Sequence, residues 1–508
     1  VNHAGVVQAQ QLHISADGKL ENRGSIQSDN LQVDAQALAN HGKISQGNGT
    51  LNITADNVDN QGGIYRNRVA AQDAVQDSKT PEKAKAASNK KTDGHIRLKG
   101  TLANNGQITS GGEINLSTAR ELNNSGDIDA GTLRVAEGRH KNTGNIRTQN
   151  ATLNGSHLDN RGSISAADAL TVHTQTLEND GSLRASALDL AGDSLYNRGE
   201  ISGTGSGEMQ ITTASWSNLG YVGRGGGEGS GAATDAKTGG TTGKNGGSTG
   251  SSRLNYARIN NEGSISQAGG VSLDVKGDFA NHGSMTLNSL TYRGETLDNR
   301  DGRLQTQKAD ISAHTLDNEN GLFAAEHISR LDLTGKLNNK NGTFYSGDDL
   351  RFTVPHFENP EGSSFGSGKT LSVKSDTLNN DGRLFAANVL ELQTQQLNNR
   401  GSLQGGALAI DADTLTNSGQ IEQTGRGTLT VRADNLDNRQ DGIIGKSPAD
   451  GKNSGSVGKS GGATSATAAD GHINVGGTLT NSGRISAAGK LRLEGGAKIH
   501  NAGHIQIE

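Results

Sequence analysis

The chain has no cysteine. Thiol nucleophiles, cysteine metal sites and disulfide staples are therefore all excluded, and an exported chain of this kind must be held by packing alone. Only four of its 508 residues are proline, as expected where backbone ladders need every N–H. Aromatic residues make up 3%, so any core is thin and filled by Leu, Ile and Val. No run of about 18 apolar residues exists, and nothing reads as a membrane-spanning segment. The net charge of −5 is too mild to imply a nucleic-acid partner. Val1 opens directly in a repeat, with neither an initiator methionine nor a signal peptide, so a segment of a longer protein is expected.

What the chain has in abundance is glycine, 74 residues, and much of it is periodic. The unit Leu158-Asp-Asn160-Arg-Gly162-Ser-Ile164, followed by Leu170-Thr-Val172, restarts at Leu177. This Leu-x-Asn-x-Gly-x-Ile pattern occurs in 23 copies between Gly5 and Gly503. Outside three interruptions the period is about 20 residues, the signature of a solenoid. The slot two residues before the asparagine holds Leu in 15 of 22 copies, with Trp216 and His140 the least typical occupants. The slot two after the glycine is apolar in 22 of 23, Ser364 being the exception. Apolar and polar residues alternate between these points, which is strand period and not helix period.

Three short strands per repeat, each with one apolar face, close into a coil. The few apolar side chains of one coil cannot offset the cost of ordering about 20 residues, so coils must stack. Each strand then pairs with its counterpart one coil away, about 4.8 Å distant, and like residues fall above like. The expected fold is all-β: a right-handed, single-stranded parallel β-helix of about 23 coils, with residues 1–508 forming one domain. Stacking should line the asparagines into a ladder along the axis. Its expected members are Asn22, Asn40, Asn60, Asn124, Asn142, Asn160, Asn179, Asn197, Asn399, Asn417 and Asn481. The glycine after each asparagine is expected to supply a positive φ at the corner.

Three insertions interrupt the period, at residues 65–94, 223–253 and 445–470. The first is polar and Ala/Lys-rich, with a possible short helix over 69–76; the others are rich in Gly and Ser and read as flexible loops. All three are net basic, and all start just after the strand that follows a corner glycine. A second irregularity is a block in which Gly302, Gly321, Gly342 and Gly362 follow Asn-x-x, a corner one residue longer. Six of the seven phenylalanines cluster there and just beyond. By register Phe323, Phe344, Phe352 and Phe357 point inward, leaving Phe365 and Phe385 as candidates to face out and touch a ligand.

The repeated segments LDNRGSISAADALTV and LNNRGSLQGGALAI resemble the haemagglutinin repeats of filamentous haemagglutinin-like exoproteins. These belong to bacterial two-partner secretion and include adhesins and contact-dependent growth-inhibition effectors. The resemblance spans nearly the whole chain apart from the insertions. It implies a right-handed parallel β-helix, export through a dedicated outer-membrane transporter, and a stalk displayed outside a Gram-negative cell. The family's secretion domain and any C-terminal toxin or maturation module are not recognisable in this sequence.

Parallel β-helices also carry polysaccharide lyases and hydrolases, so paired carboxylates must be sought. The best pair is Asp298 and Asp317, at matching positions of adjacent copies. Two like charges so close could raise one pKa. Yet Asp-Asn-Arg recurs at Asp159/Arg161 and Asp437/Arg439, so a solvated surface pattern accounts for the pair. The 14 histidines show no metal-ligand spacing; His140, in an inward slot, reads as a local irregularity of the coil. No nucleophile elbow or phosphate loop is present. The reading is a non-catalytic shaft of a secreted surface exoprotein, without cofactor or metal. It would present distal domains and contribute to adhesion or cell contact. The alternatives are a module in the rod that binds a host or bacterial cell-surface glycan or receptor, and a polysaccharide-processing enzyme.

Overall fold

The computed structural model describes residues 1–47, 49–66, 94–116, 121–224, 252–267, 271–445, 470–487 and 489–507. These residues form strands and turns only, forty strands in all, with no helix among the described residues. The strands run parallel in β-solenoid turns, about 21 in total. The chain divides into two compact units: residues 1–256 with 263–271, and residues 257–262 with 272–508.

The first unit shows how the repeat dictates the coil. Strand Ser163–Asn179 pairs in parallel with Ser182–Asn197, Ile164 opposite Leu183, Leu170 opposite Leu188, Val172 opposite Leu190 and Leu177 opposite Leu195. All eight side chains are at most 4% exposed. Apart from the buried Thr174, the polar residues between them point outward, as a two-residue period requires. A coil thus has three faces: a strand after the corner glycine, a middle strand, and a strand leading into the asparagine. Trp216 and His140 fit the inward slot of the third face, each 1% exposed.

The second unit repeats the arrangement. Strand Arg383–Asn399 pairs with Ser402–Asn417, Leu384 opposite Leu403 and Asn399 opposite Asn417. Its distinctive feature is the aromatic block. Phe323, Phe344 and Phe365 stack face to face at 4.6 and 4.7 Å with 5° between ring planes.

Two expectations about these corners are corrected. The ordinary corner glycines do not adopt a positive φ; only Gly138, Gly362 and Gly445 do among the described glycines. Glycine is required for another reason. A Cβ on Gly162 would lie 2.0 Å from the carbonyl oxygen of Gly144, and one on Gly181 2.0 Å from that of Gly162. The corner backbones stack too closely for any side chain. Left-handed residues occur instead in the longer corners, at Asp301, Asn320 and Asn341 (φ 58°, 55° and 53°) and at Gly362 (φ 81°).

The second correction concerns Phe365, which is fully buried and not at the surface. Gly362 takes the left-handed position held by Asn341 one coil earlier, and Ser363 takes the place of the corner glycine. The Arg383 amide accordingly donates to the Ser363 carbonyl, as that of Ser402 does to Gly382. Thr343 then pairs with Ser364 and Phe344 with Phe365. Ser364 is therefore not an apolar-slot exception. A one-residue register step exchanges the two faces of a strand.

The insertions, including the expected helix over 69–76, lie almost wholly outside the described residues. Their flanks show that the coil register survives them: Leu51 pairs with Gly94 and Val58 with Leu102 across the first, and Leu429 with Gly471 across the third.

Candidate functional site

The most regular polar feature is the buried amide column. Asn160, fully buried, donates from Nδ2 to Asn179 Oδ1 at 2.7 Å and accepts at its own Oδ1 from Asn142 Nδ2 at 2.8 Å. The second Nδ2 hydrogen faces the Ser182 carbonyl at 3.2 Å. The same contacts recur from Asn22 through Asn40, Asn60, Asn104 and Asn124 to Asn142. Asn179 and Asn197 continue them to Asn218. In the second unit a run links Asn380, Asn399, Asn417, Asn438, Asn481 and Asn501. Asparagine suits this column because its amide is both donor and acceptor at one fixed spacing. Aspartate would set acceptor against acceptor, and leucine would strand the corner carbonyls.

The carboxylate pair is brought together but not activated. Asp298 sits opposite Asp317. Partial burial alone would push the Asp298 carboxyl up, but Arg300 outweighs it and holds the group below the usual range. Arg300 donates from Nε at 2.9 Å and from its terminal nitrogen at 2.6 Å, and His282 lies 3.3 Å away. Asp317 accepts from Asn338 Nδ2 at 2.8 Å. A general acid needs a raised pKa, and this arrangement gives Asp298 the opposite.

His140 lies 2.8 Å from the Asn154 carbonyl through Nε2, and burial depresses its pKa, keeping the ring neutral. No group of three or more His, Cys, Asp or Glu side chains suited to a metal occurs among the described residues. No helix among them is long and apolar enough to cross a membrane.

Phe385 is half-buried and does face outward. Its ring packs on Tyr345 at 6.1 Å and carries the Arg383 guanidinium 4.4 Å from its centroid. Tyr345 also lines an open groove of about 390 Å³, together with Gln305, Ala324, Ala325, Glu326 and Gly347.

Comparison with known proteins follows the repeat geometry. The haemagglutinin repeat family matches residues 1–24, 26–78, 247–341 and 311–440, more than half of the chain. The chain belongs to the haemagglutinin repeat family. Among curated relatives it is 24% identical to the tRNA nuclease CdiA of Yersinia mollaretii over 97% of its own length and 14% of that protein. It is 28% identical to the deoxyribonuclease CdiA of Dickeya dadantii over 84% of the chain and 14% of the relative. A tRNA nuclease CdiA of Escherichia coli is 27% identical over 86% of the chain and 12% of the relative. The chain thus spans about a seventh of the length of these relatives. No solved structure matches it.

Two residues of note escaped the reading of the repeat sequence. Tyr292 fills the inward slot that Val172 marks and is fully buried. Its hydroxyl lies 2.6 Å from the Thr296 carbonyl and 2.9 Å from that of Gly277, and burial pushes its pKa up to about 12. The Leu290-x-Tyr292 spacing was the available signal. Tyr345 gave none, because an outward residue is not constrained by the repeat.

Proposed function

We propose that this chain is part of the non-catalytic shaft of a large, secreted Gram-negative surface exoprotein. The shaft would hold distal domains away from the cell and contribute to cell contact. Family membership carries the reading, together with a polar interior given over to asparagine–asparagine bonding. Export would use an outer-membrane two-partner secretion transporter. Nuclease activity belongs to the relatives by name, and the chain aligns with only 12–14% of each; we assign none to these coils. Removing residues 163–181, one full coil, from the parent protein tests the proposal. Surface display and contact-dependent activity should persist. Loss of target-cell binding with display intact would make this segment a recogniser and not a spacer.

A second reading is favoured by one observation, the open groove ending at Tyr345 beside Phe385 and Arg383. It would take a glycan, with a ring against the aromatic side chain and hydroxyls on Gln305 and Glu326. A glycan array with the chain and its Tyr345→Ala variant decides: specific binding lost in the variant supports it, and no binding by the parent chain removes it.

A further inference from the structure

The amide column of the second unit runs unbroken from Asn261 to Asn339 and again from Asn359 to Asn501, but not between them. Asn318 donates to Asn339 at 2.7 Å and Asn359 to Asn380 at 2.7 Å. Asn339 Nδ2 instead faces the Ser364 and Gly342 carbonyls at 2.9 and 3.2 Å. Asn359 Oδ1 is buried with no hydrogen-bond partner among the described residues.

The backbone ladders thin at the same junction. After the corner, pairing is complete, from Leu322 opposite Thr343 to Ala325 opposite Ser346. Before the next corner it shrinks to two pairs, Lys336 with His356 and Leu337 with Phe357; the following junction has four. On the middle face it vanishes. Strand Leu350–Thr353 pairs with residues 371–374 on one side, and among the described residues no ladder joins it to Leu322–Asn338 on the other.

The sequence supplies the causes. The middle strand of the earlier coil is bulged at Ser329, whose hydroxyl donates to the Ala309 carbonyl at 3.0 Å. Pro355 and Pro360, which have no N–H to give, both fall in the later coil. The corner geometry also changes here. Asp301 and Asn320 donate their amides to the Glu319 and Lys340 carbonyls of the next corner, whereas Asn341 must use the Ser363 hydroxyl at 3.1 Å. What spans the junction is the Phe323–Phe344 contact of the phenylalanine stack, the four-pair ladder after the corner and the two-pair remnant before the next corner. Dispersion and apolar contact tolerate sliding in a way that directional hydrogen bonds do not.

We propose that the junction between coils 322–342 and 343–363 is a built-in opening point of the second unit. The middle faces part here first, while the phenylalanine stack retains the post-corner face as a hinge. A shaft under load would yield and reclose at this junction and not at random along its length.

Hydrogen exchange of the full chain by mass spectrometry tests this. Amides of residues 327–335 and 349–352 should exchange at least tenfold faster than those of residues 308–314 and 390–395, which sit in doubly paired middle strands. Asn359→Ala breaks the bond to Asn380 on one side only, whereas Asn380→Ala breaks amide bonds on both sides, so Asn359→Ala should accelerate exchange in its flanking strands less than Asn380→Ala does. Equal protection across the compared segments overturns the proposal, and so does an effect of Asn359→Ala as large as that of Asn380→Ala.

Discussion

Replacing Asn160 by alanine isolates the contribution of one rung. The side chain is fully buried. Its loss leaves Asn179 Oδ1 without the donor now at 2.7 Å and the Ser182 carbonyl without its 3.2 Å contact. Asn142 loses its 2.8 Å acceptor but keeps the Gly144 carbonyl at 3.1 Å. One buried acceptor orphaned outright, with a small void, costs about 2–4 kcal/mol. Arg161→Ala, one residue along, removes an exposed Arg161–Asp159 pair at 3.0 Å and should change stability far less than Asn160→Ala does. A solenoid does not unfold as a single unit, so both variants are best read by urea titration combined with hydrogen exchange of residues 145–197. Asn160→Asp adds a second arm. Burial would raise the introduced carboxyl's pKa in the folded state above its unfolded value, so this variant should be worst at neutral pH and partly recover as pH falls through that raised pKa. Equal effects of Asn160→Ala and Arg161→Ala would refute the claim that the amides hold the coils together.

Gly162→Ala should destabilise by about 1–3 kcal/mol through overpacking against the Gly144 carbonyl. Gly18→Ala, with nothing within 4 Å, should be neutral or slightly stabilising in the same denaturation series. Phe365→Ala should cost about 3–5 kcal/mol, and Phe385→Ala less than ~1.5 kcal/mol; the reverse order would contradict the register given for the longer corner. Asp298 has its pKa lowered on folding, because Arg300 outweighs burial. The stability it contributes is present above the ordinary carboxylate range near pH 4 and is lost as pH falls through the folded value. Arg300→Gln should therefore weaken this region at neutral pH and flatten its loss of protection on acidification, measured by exchange of residues 284–317 between pH 3 and 6.

The coil was legible in the sequence because its rules are periodic. Leu158, Ile164, Leu170 and Val172 alternate with polar neighbours, and an asparagine two residues before a glycine recurs at one spacing. What could not be read depended on contacts between coils. The glycine corner suggested a backbone angle, and only the 2.0 Å approach to the neighbouring Gly144 oxygen gives the real reason. Phe365 was misplaced because glycine was aligned with glycine, whereas Gly362 does the work of Asn341 and Ser363 that of Gly342. A signal existed: Phe365 lies six residues beyond Asn359, while Phe344 lies five beyond Asn339. The Asp298–Asp317 pair was correctly placed on neighbouring coils, but the hydrogen bonds of Arg300, which set its charge state, depend on side-chain conformation.

The most direct test of interchangeable, stacked coils is a distance. The absence of cysteine allows clean spin labelling at Gln61→Cys and Arg198→Cys, corner positions six coils apart in the first unit. At ~4.8 Å per coil the labels should lie about 29 Å apart along the stack. Removing residues 163–181 joins Gly162 to Ser182 in the register that Gly181 holds now, and the separation should fall to about 24 Å with an equally narrow distribution. An unchanged distance, or a broad distribution after the deletion, would contradict the account.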